Sequence, residues 1–259
     1  MINTINEDKE SNFLIICDHA SNRIPGEYKR LGLNEELLAT HIAYDIGVKE
    51  TATYLAKQLE CPLVMSDFSR LLIDANRGID DPTLIMKISD GEIIKGNKGI
   101  SFLINCSEKK HRIETYYNAY HNKISDIIDR SLKKNIFPAI ISIHSFTPFF
   151  GQNKRSTELG ILWDSDNRLP DIFFSYLNKN YKHLNVGNNK PYTGRMKNDT
   201  LYRHGTKQGL ANILIEIRQD LIIDSAKQKE FSKIIAKPLL ENKSNDHLFK
   251  KKFFKSLAK

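Results

Sequence analysis

The 259-residue chain contains three cysteines, one tryptophan and no apolar run of the length needed to cross a bilayer. A spanning helix needs about 20 mostly apolar residues, so no membrane span is expected. Met1 to Lys9 is polar and carries acids, unlike the apolar segment of a secretory signal, and the expected location is cytoplasmic. Cys17, Cys61 and Cys106 form an odd, scattered set with no CxxC pair, which argues against a disulfide framework and against a zinc knuckle. Cys17 and Cys61 sit in apolar, strand-like contexts and read as core thiols. There is no HExxH, so any metal would take its ligands from separate elements. Internal repeats, low-complexity linkers and composition breaks are also absent. The simplest organisation is one domain over residues 1–259, with a lysine-rich C-terminal segment at 243–259.

What is present is an ordinary globular balance of 40% hydrophobic and 27% charged residues, with a net charge of +8. Much of the positive excess lies in Lys243, Lys250, Lys251, Lys252, Lys255 and Lys259, and the interleaved aromatics are just Phe249, Phe253 and Phe254. Lysine without arginine is poorly suited to bidentate phosphate recognition, so this segment reads as a solvated tail and no nucleic-acid partner is expected. A basic surface can instead steer a small acidic substrate. The competing reading from another functional class is a non-catalytic binder of nucleic acid or of an anionic surface through this tail. Nothing in the pattern sets an oligomeric state.

Strand-like runs alternate with helical periodicity, the signature of an α/β fold. The strands are Phe13 to Cys17, Pro62 to Met65, Ala139 to Ile143, Leu159 to Trp163 and Asn212 to Ile217, with Ser69 to Ile73 a further candidate. Helical patterns follow a cap at Asn34 and run over Asp45 to Leu59, His111 to Lys133, Leu169 to Tyr181 and Ser225 to Leu240. Residues 78–110 are irregular and read as an excursion near the site.

Polar residues at strand ends carry the functional signal. In open α/β sheets ligands bind beyond the carboxyl ends of the strands. His19 and His144 each follow such a strand, and Glu216 falls near the end of a third. Two imidazoles and a carboxylate suit a catalytic zinc with an open position for water, and a further carboxylate nearby can serve as general base. Asp18, Asp45, Asp74 and Glu216 are the acidic candidates. Taken singly, each histidine reads equally well as a hydrogen-bonded loop residue. Arg70 and Arg77 flank a short apolar stretch, and either fork can grip a substrate carboxylate; an internal Asp74–Arg77 brace is the alternative. His204 reads as a transition-state donor or as a surface histidine. His111, His121, His183 and His247 lie in helical or lysine-rich surroundings and are expected to face solvent.

Five ordered segments resemble the N-formylglutamate amidohydrolase family: Cys17 to Pro25, His41 to Gly47, Ser69-Arg70 with Asp74 to Arg77, Ser142 to Phe146, and Glu216 to Leu221. They span residues 13 to 222. The family is similar to zinc exopeptidases and zinc-dependent cell-wall amidases. The resemblance implies a phosphorylase/hydrolase-like, three-layer α/β/α fold with a mixed central sheet. It also implies one divalent metal, most naturally zinc, on His19, Asp45 and His144, with Asp18 the substitute for Asp45. Glu216 would be the general base, and Arg77 with Arg70 or Arg218, beside Asn76, would bind substrate carboxylates. The activity so implied is amide hydrolysis of an N-acyl amino acid, N-formyl-L-glutamate to formate and glutamate. A zinc amidase or carboxypeptidase acting on peptide or cell-wall fragments is the runner-up. One departure bears on substrate: Ala20-Ser21-Asn22 follows the first histidine, where members in histidine degradation usually carry glycine.

Overall fold

The computed structural model describes residues 1–100 and 106–258, so part of the irregular 78–110 stretch (residues 101–105) and Lys259 of the tail lie outside the described residues. The chain begins with β1 (Ile2–Ile5), β2 (Phe13–Cys17), α1 (Glu35–Leu38), α2 (Val48–Leu59) and β3 (Leu63–Ser66). A small hairpin, β4 (Ile88–Ser89) with β5 (Glu92–Ile93), precedes α3 (Ser107–Arg112) and α4 (Asn118–Lys133), which a π turn over Ile113–Tyr117 joins. Next come β6 (Ala139–Phe146), the hairpin β7 (Phe149–Phe150) and β8 (Asn153–Lys154), and β9 (Leu159–Leu162). The last elements are α5 (Arg168–Asn180), β10 (Val186–Asn188), α6 (Thr200–His204), β11 (Asn212–Arg218) and α7 (Ser225–Glu241).

Every residue of β2 is buried, as a strand covered on both faces requires. Its alternation divides two cores: Phe13, Ile15 and Cys17 face α2, α5 and α7, while Leu14 and Ile16 face α4 and its surroundings. Val48, Ala52, Leu55 and Leu59 supply the apolar stripe of α2 on the first side, and Tyr120, Ile124, Ile127 and Ile128 that of α4 on the second. Each fully buried leucine or isoleucine contributes roughly 1.5–3 kcal/mol. The result is a seven-stranded mixed sheet in the order β1-β3-β2-β6-β11-β9-β10 with helices on both faces, the three-layer α/β/α arrangement anticipated from the family resemblance.

β3, β2, β6 and β11 run parallel as neighbours, while β1 runs antiparallel to β3 and β9 antiparallel to β11, with β10 parallel to β9. The three strands that carry His19, His144 and Glu216 are therefore adjacent. Glu216 lies opposite His144 in the β11–β6 register and opposite Gly160 on β9. A Cβ at Gly160 would collide with the Lys190 carbonyl oxygen and press on the Glu216 side chain, so this strand needs glycine there.

Several local expectations are corrected. Residues 69–73 form no strand: Leu72 N bonds back to the Ser69 carbonyl at 2.9 Å, and Leu71, Leu72 and Ile73 are buried from within a turn. α2 begins at Val48 rather than Asp45, because Gly47 is left-handed at φ 79° and caps it. The helix after Asn34 stops after one turn, with the Asn34 side chain accepting from Leu37 N at 2.9 Å. The polar N-terminus contributes β1, and Val186–Asn188 adds β10, two strands that the sequence pattern did not announce.

The lysine-rich segment is pinned rather than free. Arg168, itself buried, donates from Nη1 to the carbonyls of Leu248 (3.2 Å) and Lys250 (2.6 Å). Lys252 N bonds the Gly209 carbonyl at 2.8 Å, and the Phe249 ring meets Phe13 edge-on at 5.4 Å. The lysines Lys243, Lys250, Lys251, Lys252 and Lys255 still point to solvent. Among the described residues no helix is long and apolar enough to cross a membrane.

Candidate metal and catalytic site

The crevice lies beyond the carboxyl ends of β2, β6 and β11. One ligand atom from each of His19, Asp45 and His144 lies within 4.8 Å of the others, and all three residues are buried. Asp45 arrives from the segment between α1 and α2. Its backbone N bonds the His19 carbonyl at 3.0 Å, and Oδ2 accepts from Ser145 N at 3.2 Å.

Each imidazole has a carboxylate behind it. His19 Nε2 meets Asp74 Oδ1 at 2.7 Å, and His144 Nε2 meets Asp18 Oδ2 at 3.0 Å. If both Nε2 atoms carry hydrogen, both Nδ1 atoms present lone pairs towards Asp45: His144 Nδ1 is 2.9 Å from Oδ2, and His19 Nδ1 is 3.4 Å from Oδ1. His19 Nδ1 is buried with no hydrogen-bond partner among the described residues. Acceptors facing one another at this range need a proton or a cation between them. Carboxylate-backed imidazoles are how metal-binding histidines are oriented, so the donor set fits a divalent ion.

The electrostatics agree. Burial works against ionisation of Asp18, but the hydrogen bond and charge of His144, the charge of His19 and the Thr200 hydroxyl outweigh it and hold the carboxyl at about 2. Asp45 and Asp74 are lowered in the same way, against burial, by the neighbouring histidines, with Arg70 and Arg77 acting also on Asp74. His144 is raised, because the bonds and charges of Asp18 and Asp45 overcome its desolvation. Three ionised carboxylates are thus gathered around two imidazoles, with Arg70 donating to Asp45 at 3.3 Å and to Asp74 at 3.0 Å.

Glu216 is different. Burial pushes its carboxyl up to about 7, Asp45 adds to the rise, and Oε2 has no hydrogen-bond partner among the described residues. Asp199, not anticipated from sequence, also lines the cavity. Its side chain caps α6 by accepting from Tyr202 N at 2.7 Å, and burial raises it to about 7. A cap in front of a short helix is readable in sequence, but not the cavity it faces. Phe146, Tyr192 and His41 are further walls that sequence reasoning missed.

The cavity here measures about 230 Å³ and is lined by the three candidate ligands, Glu216, Arg70, Asn76 and Arg77 among others. Hollows of about 320 and 570 Å³ lie elsewhere, beside Arg130 and Lys237, but neither gathers an imidazole. Arg70 faces the cavity with its fork committed to Asp45 and Asp74. Asn76 is fixed by accepting from Thr200 N at 3.2 Å. Arg77 bonds Thr83 Oγ1 at 3.1 Å and the Asn76 carbonyl at 2.9 Å; among the described residues it makes no ion pair. The alternative of an Asp74–Arg77 side-chain brace is not seen: Asp74 pairs with Arg70 and His19.

Two expectations are not met by position. Arg218 stands outside the cavity, its donors taken by Asp220 (2.8 Å), the Arg155 carbonyl (3.2 Å) and Glu158 (3.4 Å). His204 turns away from the cavity: its Nε2 pairs with His121 Nδ1 at 2.9 Å, and His121 Nε2 reaches the Ala75 carbonyl at 3.0 Å. His121 is therefore buried, contrary to its expected solvent-facing position, because the apolar stripe of α4 carries it inward.

Comparison with known proteins places this arrangement. No curated protein matches the sequence. The chain resembles the crystal structure of a gene product from Agrobacterium tumefaciens, with 31% identity, a TM-score of 0.88, and coverage of 95% of this chain and 96% of that one. It shares its fold with the N-formylglutamate amidohydrolase of Ralstonia eutropha JMP134, at 17% identity, a TM-score of 0.66, and coverage of 95% and 98%. A family model described as N-formylglutamate amidohydrolase matches residues 11–223, most of the chain and all of the segments that build the site, and the chain belongs to that family.

Proposed function

We propose that the protein hydrolyses the amide bond of an N-acyl amino acid with the help of one divalent metal, most naturally zinc, and that N-formyl-L-glutamate is the substrate, releasing formate and glutamate. The observation that carries this reading is the pair of carboxylate-backed imidazoles converging on Asp45, with the unpartnered Glu216 oxygen beside them.

His19, Asp45 and His144 would hold the ion, and Asp74 and Asp18 would fix the two rings. An ion bound there supplies Lewis acidity towards a carbonyl oxygen and makes a nearby water easier to deprotonate. Glu216, held near neutrality by burial, accepts the proton of the attacking water and then delivers it to the departing amine nitrogen. Arg77, which makes no ion pair among the described residues, brings its guanidinium into the same cavity and binds a substrate carboxylate. Asn76, with its carbonyl oxygen already bonded, turns its amide donors to the substrate. Arg70 offsets the charges of Asp45 and Asp74 and keeps the ligands in place.

The test is metal content with amine release. The purified protein should hold about one equivalent of zinc and release glutamate from N-formylglutamate, and a chelator should remove both. Hydrolysis that survives complete removal of metal would refute the mechanism, and metal without release of amine from any N-formyl amino acid would refute the reaction.

A further inference from the structure

Arg155 sits on the strand-β9 side of the site and has been given no role so far. Its guanidinium lies 5.5 Å from the Phe146 ring, 5.1 Å from Tyr192 and 5.6 Å from Phe150, and Nη1 donates to Tyr192 Oη at 2.7 Å. Phe146 and Tyr192 are themselves walls of the cavity. The backbone is anchored at both ends, Arg155 N to the Pro148 carbonyl at 2.8 Å and the Arg155 carbonyl to Arg218 Nη1 at 3.2 Å. Among the described residues Arg155 makes no ion pair, whereas neighbouring Arg218 pairs with Glu158 and Asp220. A guanidinium ordered by three rings and a hydroxyl, yet left without an anion, is a preorganised acceptor site for one.

Among the described residues, two guanidiniums without an acidic partner thus stand on different sides: Arg77 in the cavity lining and Arg155 against two of its walls. Arg77 lies beside Asn76 and close enough to Asp74, the residue behind His19, to influence its charge. Arg155 lies at the rim, outside Phe146 and Tyr192. In an N-acyl amino acid the α-carboxylate is only two bonds from the amide nitrogen, and the side-chain carboxylate of an acidic residue is further out. We infer that Arg155 is the specificity residue that grips the side-chain carboxylate of a dicarboxylic N-acyl amino acid, while Arg77 takes the α-carboxylate. The assignment rests on the hydrolase reading of the site, which it refines.

The discriminating experiment compares N-formylglutamate with its neutral isostere N-formylglutamine on the metal-loaded enzyme and on Arg155→Gln. The wild type should favour N-formylglutamate by about ten- to hundredfold in kcat/KM, the range of one charge-assisted contact. Arg155→Gln should erase that preference through KM while N-formylglutamine stays within about twofold. Equal losses on both substrates, or an unchanged preference, would overturn the assignment. Calorimetric titration with glutamate and glutamine reads the same discrimination without turnover. Selective binding of glutamate that Arg155→Gln abolishes would support the clasp even if neither formyl compound is hydrolysed, in which case the reaction reading alone falls.

Discussion

A histidine becomes a metal ligand through what stands behind it. His19 and His144 differ from the other histidines of the chain in having Nε2 held by a carboxylate while Nδ1 faces Asp45. The histidines themselves were legible, because each follows an apolar run at a strand end. Asp74 was legible as an acid near arginines and as one of four candidate carboxylates, but not as the partner of His19, since that bond spans 55 residues. Asp18 was read as a substitute ligand, but its oxygens are taken by His144, Ser142 and Thr200. On the proposed metal role, removing one of these holders should weaken metal binding without removing a ligand. Asp74→Asn is expected to weaken metal affinity about 10–100-fold, the usual cost of losing such a partner. Competition with a chelator of known affinity measures this, and an unchanged affinity would contradict the role given to Asp74.

Among secondary elements, the adjacency of β2, β6 and β11 makes the site, and periodicity cannot supply it. The sequence shows that three strands end in useful residues; only the pairing of Glu216 with His144 across neighbouring strands shows that they share one crevice. The same limit bears on Arg218, which the family resemblance offered as a substrate contact and whose donors Glu158 and Asp220 occupy. It also explains His204, which the short α6 directs onto His121 of α4 instead of into the cavity. Burial, reinforced by Arg203 and opposed by Asp18, lowers His204 to about 4; His121 is lowered by burial, by His204 and by Arg203 against Asp18 and the Ala75 carbonyl. A histidine depressed on folding binds more protons in the unfolded chain below pH 6.5. Its contribution to stability is thus complete above pH 6.5 and shrinks as pH falls towards about 4, by roughly 3 kcal/mol for His204. Urea unfolding of wild type and His204→Gln across this window checks it: the variant should show the shallower decline. Parallel declines would mean that this contact between α4 and α6 does not govern acid sensitivity.

For the whole molecule, the fold class and sheet type were readable from alternating strand and helix patterns together with the ordered family motifs. The edge strands β1 and β10 were not, because Ile2–Ile5 is half polar and Val186–Asn188 is only three residues long. The net charge of +8 suggested a role for the tail, yet Arg168 ties that segment to the body through the Leu248 and Lys250 carbonyls. The positive charge on which the proposed substrate binding rests is instead a pair of arginines that make no ion pair among the described residues, Arg77 and Arg155, set against the acids around His19 and His144. The central claim is that this one crevice separates two tasks, holding a metal and moving a proton, between different residues. The most direct test is Glu216→Gln, assayed for bound metal and for N-formylglutamate turnover in the same preparation. The account predicts metal content unchanged and turnover down by about 10²–10⁴-fold, the range for loss of a general base. Full turnover, or loss of the metal together with the activity, would contradict it.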